Sequence, residues 1–459
     1  MANASIALLP LLMEQYDVWR PGLRPAQEVF LQRVAAFLQR HGAVHNPGIC
    51  ANRSSVDAAL AQAESEGADL LIVLLLSYTP SWIALPALLR TRLPILLLNT
   101  TPRADMGPDI SASDYLENHA IHGVQDLANV LLRAGKAHWI VSGLLEDAAV
   151  GSKVAECAAA ASAARLWRAL RVGRVGSVFP GMGDLAVDTT ALLRSGPEVV
   201  DLAPGEFAAA WEAVADPEIE PLTEEYRRLY DTGRIGAEDL RATARAERAV
   251  RRIVSDHRLG AVAFSFLIFD HLPPGPVMPF AGVSRLMAEG VGYGGEADAL
   301  AAGAVTALHA LTGCAGFTEM FCPDWKRGEV LMSHMGEANP QFARGRPRLV
   351  ATASLVGAGA MPGVLLFESE PGPVTLASLT VGPAGRLRWV VCEGEISPSP
   401  LYPALAAPHY KFKPPQPLPE FLTAYSEAGG SHHLALCRCH VASQIERFAQ
   451  AIGSEFCRV

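Results

Sequence analysis

The chain reads as an α/β protein of three parts. Two domains built on parallel sheets, over residues 1–165 and 166–315, precede an antiparallel, barrel-like β domain over residues 316–459. Three features predict this. Fully apolar runs such as Leu70-Leu71-Ile72-Val73-Leu74-Leu75 alternate with helix-period segments, the pattern of strands covered on both faces. A second set of such runs follows the alanine-rich stretch 144–170. Beyond Gly316 the texture changes to short runs split by turns such as Pro371-Gly372-Pro373 and Gly382-Pro383-Ala384-Gly385, as in antiparallel sheets.

In the first domain, residues 5–12, 69–78, 94–100 and 138–142 are the expected strands. Residues 25–41 and 54–66 carry helical periodicity, the second opened by Ser54 or Ser55 as N-cap. Functional groups in such sheets sit where strands end, here around Ser77-Tyr78-Thr79-Pro80 and Asn99-Thr100-Thr101-Pro102. A single helix over 113–133 would set His119 and His122 on one face. Histidines so placed are commonly structural or merely exposed. Residues 144–170 form the helix that leaves the domain.

The second domain begins with a strand over 171–178 and the turn Phe179-Pro180-Gly181-Met182-Gly183-Asp184. That turn lacks both the GxGxxG and the GxxxxGK[ST] spacing, so it reads as a strand-to-loop turn lining a pocket rather than a phosphate loop. Residues 224–260 are charged and helical with a solvated face, 261–266 are a buried strand, and 284–289 begin a helix. In the third domain, strands are expected over 349–355, 363–370, 374–381 and 387–393. The proline-rich stretch 398–419 is expected to be irregular, and 444–453 is a closing helix.

Composition narrows the function. Half of the residues are apolar, 19% are charged, and the net charge is −9, with basic residues scattered. This argues against a nucleic-acid binder. The eight cysteines include no CxxC pair, which suggests free thiols in a reducing compartment. The apolar start, residues 6–12, reads as a first buried strand in preference to a signal peptide, and no run approaches the length of a membrane span. The expected location is cytoplasmic.

Three residues between Gly292 and Pro340 draw notice. Glu296 follows Gly294-Gly295 and is expected to open a helix, with Asp298 as a first-turn acid complementing the helix dipole. Taken singly, Glu296 reads as a helix-end acid as readily as a ligand. Glu319 sits in the apolar, strand-like run Gly-Phe-Thr-Glu-Met-Phe, where a carboxylate has no structural reason to be. His334 is a lone histidine in a strand, which a hydrogen-bonded core position also explains. A histidine pair stands far downstream in Gly429-Gly430-Ser431-His432-His433. Carboxylates and imidazoles in apolar surroundings suit a divalent cation, which offsets the cost of burying charge.

Together, Gly-Gly-Glu-x-Asp, Phe-x-Glu, Ser-His-Met-x-Glu and Gly-Gly-x-His-His resemble the L-arabinose isomerase family and, more distantly, the L-fucose isomerases. The stretch Pro279-Phe280-Ala281-Gly282-Val283-Ser284-Arg285-Leu286-Met287 resembles the family upstream of the first glutamate, as does Asn118-His119-Ala120-Ile121-His122-Gly123 further back. The resemblance implies two Rossmann-like domains and a C-terminal antiparallel domain. It implies a metal held by Glu296, Glu319, His334 and His433, usually Mn²⁺, with Co²⁺ or Mg²⁺ as alternatives. Glu296 and Glu319 would also move the protons of an aldose–ketose isomerisation through an enediolate, in an order left open. His122 and Met182 would contact the sugar. The protein would be a homo-oligomer, a trimer or hexamer, with active sites at subunit interfaces. Ala299 and Met320-Phe321 depart from the family pattern, which bears on the sugar more than on the chemistry. The alternatives are isomerisation or epimerisation of another sugar (fucose, galactose, a branched or deoxy sugar) and non-catalytic sugar binding. A nicotinamide-dependent oxidoreductase is disfavoured by the missing glycine fingerprint.

Overall fold

A computed structural model of the chain describes residues 4–352 and 360–459. It divides into two compact units, Met1–Arg165 and Leu166–Val459. The first holds strands β1 (Ala4–Leu11), β2 (Gly42–His45), β3 (Leu70–Leu75), β4 (Ile95–Asn99) and β5 (Trp139–Ser142). They form a wholly parallel sheet in the order β2-β1-β3-β4-β5. Every residue of β3 is buried, because helices cover both faces. Strand β2 was not expected from the sequence. It is a four-residue edge strand without an apolar run, and Gly42 is required because a Cβ there would lie 2.2 Å from the Ala4 carbonyl oxygen.

Two helical expectations need correction. The helix Arg53–Ser65 is capped by Asn52, not by Ser54 or Ser55; Ser55 instead completes a reciprocal capping box with Asn52. The single helix expected over 113–133 is two, Ala112–Glu117 and Ile121–Arg133. At the break, the Asn118 side chain accepts the Arg103 backbone N–H.

The second unit opens with another parallel sheet of β6 (Arg171–Val175), β7 (Glu198–Leu202), β8 (Ala261–Phe264) and β9 (Gly292–Gly295), in the order β7-β6-β8-β9. The charged stretch 224–260 is two helices, Asp216–Leu229 and Ala237–Asp256. Strand β9 packs its backbone directly on the helix Ala299–Thr312: a Cβ on Gly292 would lie 2.1 Å from the Ala302 carbonyl oxygen, and one on Gly294 2.1 Å from that of Asp298.

The remaining strands are β10 (Gly316–Asp324), β11 (Glu329–Ser333), β12 (Arg348–Ala351), β13 (Gly363–Leu366), β14 (Gly372–Val381), β15 (Leu387–Ser397), β16 (His409–Lys413), β17 (His433–Cys437) and β18 (Glu455–Arg458). Strands β12 and β13 form a separate two-stranded sheet; the end of the strand expected over 349–355 lies outside the described residues. The others run β14-β17-β10-β11-β16-β15-β18, and pairing of β14 with β15 closes six of them into an antiparallel barrel. Strand β18 adds to β15 in parallel. Strand β16 lies inside the proline-rich stretch expected to be irregular, so that reading was wrong: the flanking prolines mask a five-residue strand whose partners are remote in sequence. Trp167, Trp389 and Phe448 meet edge-to-face at centroid distances of 5.5–6.3 Å, anchoring the closing helix Ala442–Ile452 on the barrel. All eight cysteines are free thiols.

Candidate active site

The chain leaves β9 through Glu296 and Ala297, both left-handed with φ of 55° and 61°. Non-glycine residues hold such angles at a cost of about 1–3 kcal/mol each, and such strain collects at functional sites. Here the turn is tied down by the Ala297 N–H donating to the Phe264 carbonyl (3.0 Å) and the Asp298 N–H to that of Gly295 (2.9 Å). Glu296 therefore precedes the helix rather than opening it. The helix starts at Ala299, and Asp298 is its N-cap, with Oδ1 accepting from the N–H groups of Leu300 and Ala301.

Glu319 lies mid-way along β10, directly opposite His433 on β17 and Ser333 on β11. Residues so paired project from the same face of a sheet with Cβ atoms about 4.5–5.5 Å apart. Phe317, two residues earlier, shares that face, and its ring centroid is 4.9 Å from those of both His334 and His433. The two imidazoles are 5.2 Å apart. His334 sits just past the end of β11, not within the strand. A Cβ on Gly295 would lie 2.4 Å from His334 Cε1, so only glycine admits the ring there.

Each of these histidines is held through Nδ1 by a carboxylate. Glu337 Oε1 is 2.6 Å from Nδ1 of His334, and its other oxygen accepts the Gly336 N–H. Burial disfavours the imidazolium of His334, but Glu337 outweighs it and lifts the ring above the ordinary histidine range. Asp298 Oδ2 is 2.9 Å from Nδ1 of His433. An ionised carboxylate only accepts, so Nδ1 of His433 carries a hydrogen, the tautomer in which Nε2 is the nitrogen left to bind a cation. That Nε2 is buried and has no hydrogen-bond partner. Asp298 and Glu337 are thus site residues that sequence reasoning missed. For Glu337 the three-residue spacing from His334 was an available signal; Asp298 and His433 are 135 residues apart.

His432 has a different setting. Its Nδ1 donates to Asp184 at 2.6 Å, and its Nε2 lies 3.7 Å from Glu296 Oε2. The second distance is too long for a hydrogen bond, so it acts as charge attraction. Glu296 first, and then Asp184, hold His432 up at about 9 against burial. For Glu296, burial alone would raise the carboxyl, but the neighbouring imidazoles of His432, His433 and His334 bring it below its usual range.

Candidate ligand atoms of Glu296, His432 and His433 all lie within 4.8 Å of one another. Glu296 Oε2 is 3.7 Å from Nε2 of His433, beyond hydrogen bonding yet close enough for two ligands that each stand about 2.0–2.2 Å from one cation. Glu319 and His334 fall outside that tight group but adjoin it through the β10–β17 register and the imidazole contact. A buried lone pair, a strained carboxylate and two carboxylate-anchored histidines fit a divalent cation. Of the other sequence candidates, half-buried Met182 lies two residues before Asp184, so its loop reaches the His432 side. His122 lies in the unit Met1–Arg165, exposed and 2.8 Å from His119.

A parallel α/β sheet joined to an antiparallel barrel, with carboxylates and histidines gathered where β9 meets β10 and β17, has the architecture and chemistry of an enzyme. Family models agree: residues 183–313 match the L-arabinose isomerase central domain and residues 314–455 its C-terminal domain. The chain is 30% identical to an L-arabinose isomerase of Thermotoga petrophila over 84% of its own length and 79% of that protein. It is 29% identical to one of Anoxybacillus flavithermus over 83% and 78%, and 28% identical to one of Geobacillus thermodenitrificans over the same shares. The chain belongs to the L-arabinose isomerase family, and so to the aldose–ketose isomerases.

Proposed function

We propose that this protein interconverts an aldose and its ketose at the junction of β9, β10 and β17, with L-arabinose as the first candidate substrate. The observation that carries the reading is the pair of histidines anchored through Nδ1 by Asp298 and Glu337, with Glu296 and Glu319 beside them. Glu296, Glu319, His334 and His433 would hold the metal, Mn²⁺ best suiting hard oxygen and imidazole donors, with Co²⁺ or Mg²⁺ as alternatives. When bound, such a cation polarises a carbonyl and lowers the energy of negative charge developing on the neighbouring oxygens.

The reaction moves the proton on C2 of the aldose to C1 and the hydroxyl proton on O2 to O1, through an enediolate. Glu296, in the turn after β9, and Glu319, on β10, would reach the substrate from two different elements, so that one can remove a proton while the other returns one. Glu296 is suited to stay ionised by the imidazoles around it. His432 is held against Asp184 through Nδ1, and Glu296 and Asp184 raise it above the ordinary histidine range. The turn at Glu296 fixes its backbone, which limits where the carboxylate can reach.

Met182 and His122 are assigned to the sugar, His122 reaching a neighbouring subunit's site in a homotrimer or hexamer. The three-part division at residues 165 and 315 belongs to the same reading, supported by the separate sheets β1–β5 and β6–β9 and the barrel. A cytoplasmic location fits the free thiols, and among the described residues no helix is long and apolar enough to cross a membrane. The net charge of −9 gives no footing for nucleic acid.

Chelator treatment should abolish ketose formation from L-arabinose, and added Mn²⁺ should restore it. Full activity after the metal has been stripped, verified by elemental analysis, would contradict the metal assignment. Turnover of L-fucose or D-galactose but not L-arabinose would move the substrate while leaving the chemistry.

A further inference from the structure

In the first unit, His119 and His122 meet Nε2 to Nδ1 at 2.8 Å. Tyr115 stacks on His119 at a centroid distance of 5.9 Å and an interplanar angle of 21°, and Tyr78 closes the other side, 6.1 Å from His119 and 6.5 Å from His122. This cluster stands beside the loop that follows β3. Gly123 lets the helix Ile121–Arg133 approach that loop, since a Cβ there would be 3.3 Å from the Thr79 backbone nitrogen. In the order β2-β1-β3-β4-β5 the chain reverses direction of travel at β1, and ligands of such sheets bind beyond the carboxyl ends of the strands at that point.

Two neutral imidazoles joined by one hydrogen bond have two tautomeric arrangements. If Nε2 of His119 accepts, its Nδ1 must carry a hydrogen; that Nδ1 is buried and without a partner. If Nε2 of His119 donates, Nδ1 is a bare acceptor. Orphaned buried N–H groups are rarer than under-satisfied acceptors, so the second arrangement is favoured. Burial, with the neighbouring His122, keeps His119 below the ordinary histidine range and so neutral. Nδ1 of His122 then accepts, and its exposed Nε2 carries the hydrogen.

We infer that His119 is a positioning residue that locks His122 in the Nε2–H form, so that His122 presents a hydrogen-bond donor to a lone pair of a substrate hydroxyl. This deepens the proposed function and rests on its assignment of His122 to the sugar. An aromatic wall of Tyr78 and Tyr115 beside one fixed donor suits a polyhydroxylated ligand better than an anion.

The test is ¹⁵N NMR of histidine-labelled full-length protein, with the His122 signals assigned by their loss in His122→Ala. In the unaltered protein His122 should show the Nε2–H tautomer. An Nδ1–H tautomer or an even mixture there would overturn the inference without any variant. His119→Phe, which keeps the ring but not the donor, should convert His122 to a mixture and raise KM for L-arabinose about 3- to 10-fold with kcat little changed. His119→Gln, whose amide can donate, should restore both the tautomer and KM. If His122→Ala leaves KM for L-arabinose and L-fucose unchanged while the tautomer readings hold, the sugar assignment of His122 fails and the positioning role stands. A kcat loss in His119→Phe that His119→Gln does not rescue would overturn the role.

Discussion

Replacing Glu319 by glutamine is expected to lower kcat for aldose–ketose conversion by about 10²- to 10⁴-fold, the range set by loss of a positioned acid–base group. The side chain is half-buried on β10 opposite His433, and glutamine keeps its shape, so the protein should fold and melt as before. Steady-state kinetics on metal-saturated enzyme reads the effect, and elemental analysis separates lost proton transfer from lost metal. Glu296→Gln should cost as much. It also removes the carboxylate that raises His432, so the two variants should differ in pH profile. Near-normal turnover in both would remove the carboxylates from the chemistry.

Asp298→Asn separates positioning from stability. Asparagine caps a helix about as well as aspartate, so Oδ1 can still accept from Leu300 and Ala301, and the melting temperature should stay within about 5 °C. The other atom of the side chain becomes an NH₂ facing Nδ1 of His433. Two donors cannot share that contact, so the imidazole must move its proton to Nε2, the atom that the cation needs bare. Metal affinity should fall about 10- to 100-fold, measured by competition with a metal-sensitive dye. An unchanged affinity would mean that His433 does not ligate through Nε2.

How far the molecule was legible in its sequence follows from what each element contacts. Strands β1, β3, β4, β6 and β8 were visible because helices on both faces make them continuously apolar. Strands β2, β7, β9, β16, β17 and β18 were not, each being only four or five residues long, and β9 reads in sequence as a glycine-rich turn. The barrel needs pairings between strands far apart along the chain, β17 with β10 and β14 and β11 with β16, so only the change of texture after Gly316 hinted at it.

The site divides in the same way. Glu319 could be singled out because a carboxylate is out of place in an apolar run, whereas Glu296 and His334 read as readily as helix-end and core residues, and the choice of His433 over His432 came from the family resemblance alone; the fold brings the four to one junction. Asp298 looked like an ordinary helix-end acid, which it also is; its hold on His433 needs the strand register that sets β17 beside β10. The left-handed turn at Glu296 was equally hidden, because positive φ is ordinarily taken by glycine and Glu296 was expected to open a helix.

The metal quartet is tested most directly by anomalous diffraction at the manganese edge on crystals grown with Mn²⁺. The account expects one strong peak per chain, bonded to Glu296, Glu319 and the Nε2 atoms of His334 and His433, with Asp298 and Glu337 still on the opposite ring nitrogens. No peak there, or a peak held by Glu296 and His432 away from His334, would contradict it.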